Sequence, residues 1–131
     1  MSEKTLSGRV AIVTGAGRGI GRAIAIAYAH AGARVAVASR TASSVAAVVA
    51  DIERDGGEAV GIVCDIAEPA AIHAMVEKTV SAFGTVHILV NNAQGFGTAE
   101  KPKAAALPVP LEELTDEEWE FTIRAGASAS F

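Results

Sequence analysis

The residues best placed to do chemistry are Thr14-Gly15-Ala16-Gly17-Arg18-Gly19-Ile20-Gly21, between a short apolar run and a helical pattern. A helix that starts at such a turn presents free N–H groups and a partial positive charge, which suit a pyrophosphate. Glycines let the backbone turn tightly and approach phosphates without a Cβ in the way. The spacing excludes two rival phosphate motifs. A P-loop needs Lys and then Ser or Thr after its last glycine, whereas Gly21 is followed by Arg22-Ala23. The fingerprint G-x-G-x-x-G fails because Ile20 stands at its third glycine. The pattern that fits is T-G-x-x-x-G-x-G, through Thr14, Gly15, Gly19 and Gly21. A second candidate follows an apolar run further on, Asn91-Asn92-Ala93-Gln94. Paired Asn side chains at the carboxyl end of a strand can bond backbone groups across the crevice and hold a glycine turn.

Elements must position these residues, and the first 92 residues alternate between strand and helix patterns. Val10–Val13 reads as a buried parallel strand. From Gly19 to Ala31 a helix is expected, with Ile20, Ile24, Ala27, Tyr28 and Ala31 on its inner face and Gly32 as its stop. Arg34–Ala38 is a second strand, and Val45, Val48, Val49 and Ile52 mark a second helix closed by Gly56-Gly57. Ala59–Cys64 is a third strand. A third helix has Pro69 in its first turn, an inner face of Ile72, Met75, Val76, Thr79, Val80 and Phe83, and Gly84 as its stop. His87–Val90 is a fourth strand. This order predicts an α/β fold, a doubly wound parallel sheet with helices on both faces. Residues 94–114 contain Pro102, Pro108 and Pro110 and read as a long loop. Thr115 and Glu118 form a capping box, and the helix they start is expected to run on to Phe131.

Both motifs, at this spacing, resemble the short-chain dehydrogenase/reductase family, from about Ser7 to Phe131. The resemblance implies a Rossmann-type fold with strand order three, two, one, four. It also implies hydride transfer between a nicotinamide cofactor and a carbonyl or secondary alcohol. The implied cofactor residues are Gly15, Arg18, Gly19, Ile20, Gly21, Ser39, Arg40, Asp65, Ile66, Asn91 and Ala93. Asp65 resembles the family's adenine-side Asp and is also placed to cap the next helix. Ser39 stands where an acidic residue would hold the ribose hydroxyls of NAD. With Arg40 and Arg18 nearby, NADP(H) is favoured over NAD(H). Gln94 replaces the family's usual Gly, and Trp119 matches a position where the family often has Trp.

The family's proton-transfer residues, a Tyr followed four residues later by Lys and a Ser, lie beyond the fourth helix, and no catalytic residue is assigned here. The sole tyrosine, Tyr28, is followed four residues later by Gly32 and reads as packing. Gly126-Ala127-Ser128 stands where the family has Asn-Leu-x. The expectation is one partial dinucleotide-binding domain over 1–131, the cofactor-binding half of a protein about twice as long. The alternative is a non-catalytic nucleotide-binding or interaction module.

Composition fits this reading. The chain has 131 residues, 50% of them apolar, and a formal charge of −4. That excludes a disordered chain and argues against nucleic acid as a partner. Apolar runs are too short for a membrane span, and Met1–Arg9 lacks the apolar core of a signal peptide. A cytoplasmic protein is expected, homo-oligomeric in its full-length form. Cys64 alone makes no internal disulfide and reads as an inert buried thiol. His30 and His73 are expected to lack partners, and His87 to serve a surface or capping role. The acidic run Glu112–Glu120 favours a helix N-terminus and solvation. Phe96, Leu107 and Leu111 suit either an apolar entrance or a subunit contact.

Overall fold

The strands of the main sheet are short and mostly β-branched or Ala, and the two central ones are covered on both faces. In the computed structural model these are β1 (Val10–Thr14), β2 (Arg34–Ser39), β3 (Glu58–Val63) and β4 (Ile88–Val90). They lie parallel in the order β3-β2-β1-β4, as the resemblance implies. The registers pair Val10 with Arg34, Arg34 with Glu58 and Ala11 with Ile88. Helices α1 (Gly19–His30), α2 (Ala42–Arg54) and α3 (Pro69–Phe83) make the crossovers, and α4 (Asp116–Ala125) follows. The structure describes residues 4–97, 102–103 and 111–131, with backbone alone at 96, 97, 102, 103 and 111.

The sheet separates two apolar cores. Val13, Val35 and Val37 pack with Ala25, Ala29, Val45, Val48 and Ile52 from α1 and α2. On the other face Ile12, Ala36, Ala38 and Ile62 pack with Met75 of α3. β1 and the middle of β2 are buried throughout, so the strand that carries the glycine turn is the most tightly held.

Four expectations change in detail. The inner face of α1 is Gly21, Ala25 and Ala29, with Ile24 and Tyr28 flanking it, while Ile20 is 74% exposed and Ala27 is exposed. Small residues let this helix lie close to the sheet, so the tight contact selects Gly and Ala over the bulkier stripe. In α3, Met75 and Thr79 are buried, whereas Val76 and Val80 are each 42% exposed. The buried Thr79 hydroxyl is satisfied by donating to the Met75 carbonyl at 2.8 Å. α4 ends at Ala125 with Gly126 as its C-cap, and a 3₁₀ turn covers Ser128–Ser130. Gly costs a helix interior about 1 kcal/mol relative to Ala, so it is a natural stop. His30 has a partner, since its Nε2 lies 3.2 Å from Asp55 Oδ2.

The capping box forms as expected. Thr115 Oγ1 accepts from the Glu118 N–H at 3.1 Å, and Glu118 Oε2 accepts from the Thr115 N–H at 3.2 Å. Within the stretch expected as loop, β5 (Phe96–Gly97) pairs antiparallel with β6 (Pro102–Lys103), and Leu111–Glu113 forms a 3₁₀ turn. Leu107 and the side chains of Phe96 and Leu111 lie outside the described residues.

Candidate cofactor-binding site

A parallel sheet directs the carboxyl ends of its strands to one side, where the loops that follow can converge. Here the turn after β1, the end of β2, the loop after β3 and the segment after β4 border one groove of about 690 Å³. That volume suits a cofactor.

The groove is organised around Thr14, the last residue of β1, which is 4% exposed. Its hydroxyl donates to the Val90 carbonyl at 3.1 Å. The same oxygen accepts from the N–H groups of Asn92 and Ala93, both at 3.1 Å. Asn92 completes the junction from its side chain, with Nδ2 3.2 Å from the Thr14 carbonyl and 3.3 Å from the Gly15 carbonyl. The ends of two neighbouring strands are thus locked together beneath the glycine turn. This cross-crevice bonding belongs to Asn92. Asn91 is exposed and borders a smaller apolar pocket of about 100 Å³, together with Met75, Val86 and Leu89.

The glycines serve distinct purposes. Gly15 and Gly19 have φ of +62° and +58°, the left-handed region that disfavours side chains. A Cβ on Gly21 would lie 2.1 Å from the Gly15 carbonyl oxygen and 2.5 Å from Asn92 Nδ2. Gly21 therefore allows α1 to begin directly under the turn. A Cβ on Gly19 would meet nothing within 4 Å, so the space above it is open. The turn is anchored to β2 through the Ala16 N–H, 3.0 Å from the Ala38 carbonyl.

Of the residues expected at the site, Gly15, Arg18, Gly19, Ile20, Ser39, Arg40, Asp65, Ile66 and Ala93 line the groove. Gly21 is buried beneath it. Asp65 Oδ1 accepts from the Ala67 N–H at 3.0 Å, which shapes the loop before α3, while Glu68 is that helix's N-cap. Gln94 needs no left-handed backbone, because positive φ among the described residues occurs only at glycine. Several wall residues were not expected at the site: Ser44, Cys64, Gly95, Phe121 and Ala125. Phe121 and Ala125 come from α4 and pack over Gly95, where a Cβ would lie 2.7 Å from Ala125 Cβ. Only the exposed-versus-buried pattern of α4 hinted at them. Cys64 is buried, and that burial, with the nearby Asp65 charge, pushes its thiol pKa above the ordinary value while Lys78 opposes the rise.

The fit to a dinucleotide rests on this donor set. The N-terminus of α1 faces the groove with no carboxylate in its first turn and an open space over Gly19. Among the described residues no cluster of His, Cys, Asp or Glu could hold a metal ion, and no helix is long and apolar enough to cross a membrane.

Comparison with known proteins agrees with this geometry. A family model described as short chain dehydrogenase matches residues 9–131. The chain is 38% identical over 126 residues to D-threitol dehydrogenase of Mycolicibacterium smegmatis, covering 96% of this chain and 45% of that protein. It is 43% identical over 104 residues to 7alpha-hydroxysteroid dehydrogenase of Escherichia coli, covering 79% of this chain and 39% of the relative. A solved 7alpha-hydroxysteroid dehydrogenase complexed with NADH and 7-oxo glycochenodeoxycholic acid superposes with a TM-score of 0.84 at 35% identity, over 97% of this chain and 46% of that one. The chain thus spans a little under half the length of these relatives. The glycine turn locked to the end of β4 and the match over residues 9–131 show that the chain belongs to the short-chain dehydrogenase family.

Proposed function

We propose that this chain is the dinucleotide-binding part of an oxidoreductase that transfers a hydride between NADP(H) and a carbonyl or secondary alcohol. The observation that carries the reading is the Thr14–Asn92 junction, which holds the glycine turn and the α1 N-terminus at the groove. The bound nicotinamide supplies the hydride chemistry; the residues here bind and orient. Backbone N–H groups at the start of α1 suit the pyrophosphate. Asp65 and Ile66 serve the adenine side, and Asn92 and Ala93 floor the groove at β4. Tyr28 is half-buried against the core behind the sheet, so it takes no part in proton transfer.

The preference for NADP(H) rests on the end of β2. Ser39 is neutral, Arg40 is exposed, and α2 begins with no carboxylate in its first turn and no side-chain cap. Three N–H groups of that first turn, at Ala42, Ser43 and Ser44, precede the first helical bond, from Val45 to Thr41. This surrounding favours a phosphate over a diol. Ser39→Asp places a carboxylate there and should weaken NADPH at least tenfold relative to NADH in fluorescence titrations of the intact protein. An unchanged affinity ratio overturns the NADP(H) assignment. Dinucleotide binding by the intact protein without turnover of any carbonyl or alcohol supports the alternative, a non-catalytic binding module.

A homo-oligomer formed through α4 is part of this proposal, supported by exposed Trp119 (57%) and Ile123 (41%) at i,i+4 spacing. So is a cytoplasmic setting, supported by the buried free thiol of Cys64.

A further inference from the structure

The corner where β2 meets α2 holds an arrangement that the motif does not require. Gly17 has no positive φ, so its backbone does not demand glycine. A Cβ at this position would nevertheless lie 2.9 Å from Ser44 Cβ, 3.0 Å from Ser39 Oγ and 3.3 Å from Ser39 Cβ. Ser39 ends β2 and Ser44 lies in the first turn of α2, so neither backbone can retreat freely. Gly17 is therefore the position at which the glycine turn closes directly onto two serines. Both are half-buried and line the groove. Neither hydroxyl has a hydrogen-bond partner among the described residues, and neither is a buried unsatisfied group. Two residues that carry hydroxyl donors thus line the groove beside the uncapped start of α2 and next to Arg40.

We propose that Ser44 is a phosphate-binding residue, and that Gly17 positions it and Ser39 so that both hydroxyls donate to one phosphate monoester on the adenosine ribose of the bound dinucleotide. This rests on the NADP(H) reading and deepens it. Ser39 alone offers one neutral donor. Ser44 adds a second from a different element, and the missing Cβ of Gly17 keeps the turn from prising the two apart.

The test is a pair of titrations, NADPH and NADH, on the intact protein and its Ser44→Ala and Gly17→Ala variants. NADH shares every group except the ribose phosphate, so the ratio of the two dissociation constants isolates that contact. Ser44→Ala should weaken NADPH about tenfold, the loss of a hydrogen bond to a charged group, and change NADH less than twofold. Gly17→Ala should likewise raise the dissociation constant of NADPH relative to that of NADH, with 2′,5′-ADP losing competition more than 5′-AMP. If Gly17→Ala does not fold, Ser44→Ala carries the test alone. Equal weakening of both cofactors by Ser44→Ala, or no change in NADPH binding, overturns this assignment while leaving the NADP(H) reading intact. A wild-type protein that prefers NADH, or binds neither, overturns both.

Discussion

At the scale of single residues, the site depends on close approaches that tolerate no extra atom. Thr14 joins β1 to β4 through one hydroxyl used as both donor and acceptor, and Asn92 bridges to two carbonyls from the other side. Asn92→Ala removes two donors from partly buried carbonyls. Leaving such groups unsatisfied costs about 1–3 kcal/mol. We expect an unfolding free energy in urea lower by that amount and weaker binding of NADPH and NADH alike, since the junction supports the whole turn. A variant with wild-type stability and affinity would show that Asn92 holds nothing in place. The motif pair Asn91-Asn92 is visible in the sequence, but which Asn does the bridging is not. Successive side chains after a strand diverge, and only the turn of the backbone at Val90 decides which one meets Gly15.

At the scale of elements, α1 and α2 are tied across their exposed faces by Asp51. Arg22 of α1 reaches it at 2.7 Å, and Arg54 of α2 bonds its other oxygen. These two guanidinium bonds, Arg22 first, hold the Asp51 carboxyl below the ordinary carboxylate range against a small opposing effect of burial. A carboxylate lowered in the folded state stabilises above its unfolded pKa of about 4 and loses that contribution as pH falls through the lowered folded value. Asp51→Asn should therefore lower stability at pH 7 slightly, as exposed ion pairs do. The gap from wild type should narrow as urea titrations are taken below about pH 4 and close below the lowered folded value. A gap that persists in acid would mean that Asp51 acts through something other than its charge. Element types were readable from periodicity, and the Thr115–Glu118 capping box from four letters. The inner face of α1 was not. Hydrophobic spacing selects Ile20, Ile24 and Tyr28, but close packing against the sheet selects Gly21, Ala25 and Ala29.

At the scale of the whole molecule, the four-stranded sheet ends at β4, where Leu89 is 50% exposed beside Val76 and Val86. The chain spans a little under half the length of these relatives, and Leu89, Val76 and Val86 form an apolar flank at β4. A second outward surface is α4, with Trp119 and Ile123 on one side. If α4 carries the proposed subunit contact, Trp119→Glu should shift the intact protein to a smaller species in sedimentation velocity while its far-UV circular dichroism is retained. An unchanged sedimentation coefficient would remove α4 from the interface.

The sequence by itself determined the order of elements, the parallel sheet and the place of the glycine turn. These depend on local spacing: short β-branched runs, helical stripes, and glycines at fixed intervals. It also marked most of the groove, because motif residues sit where strands end. Only the tertiary structure decided that Asn92 rather than Asn91 locks the turn, that α4 stops at Gly126, and that Phe121 and Ala125 wall the groove. The same holds for Gly17 against Ser39 and Ser44, 22 and 27 residues further along the chain, where a Cβ on Gly17 would lie within about 3 Å of each. Such contacts arise between elements distant in sequence, and no local pattern encodes the distance between two backbones that pack together.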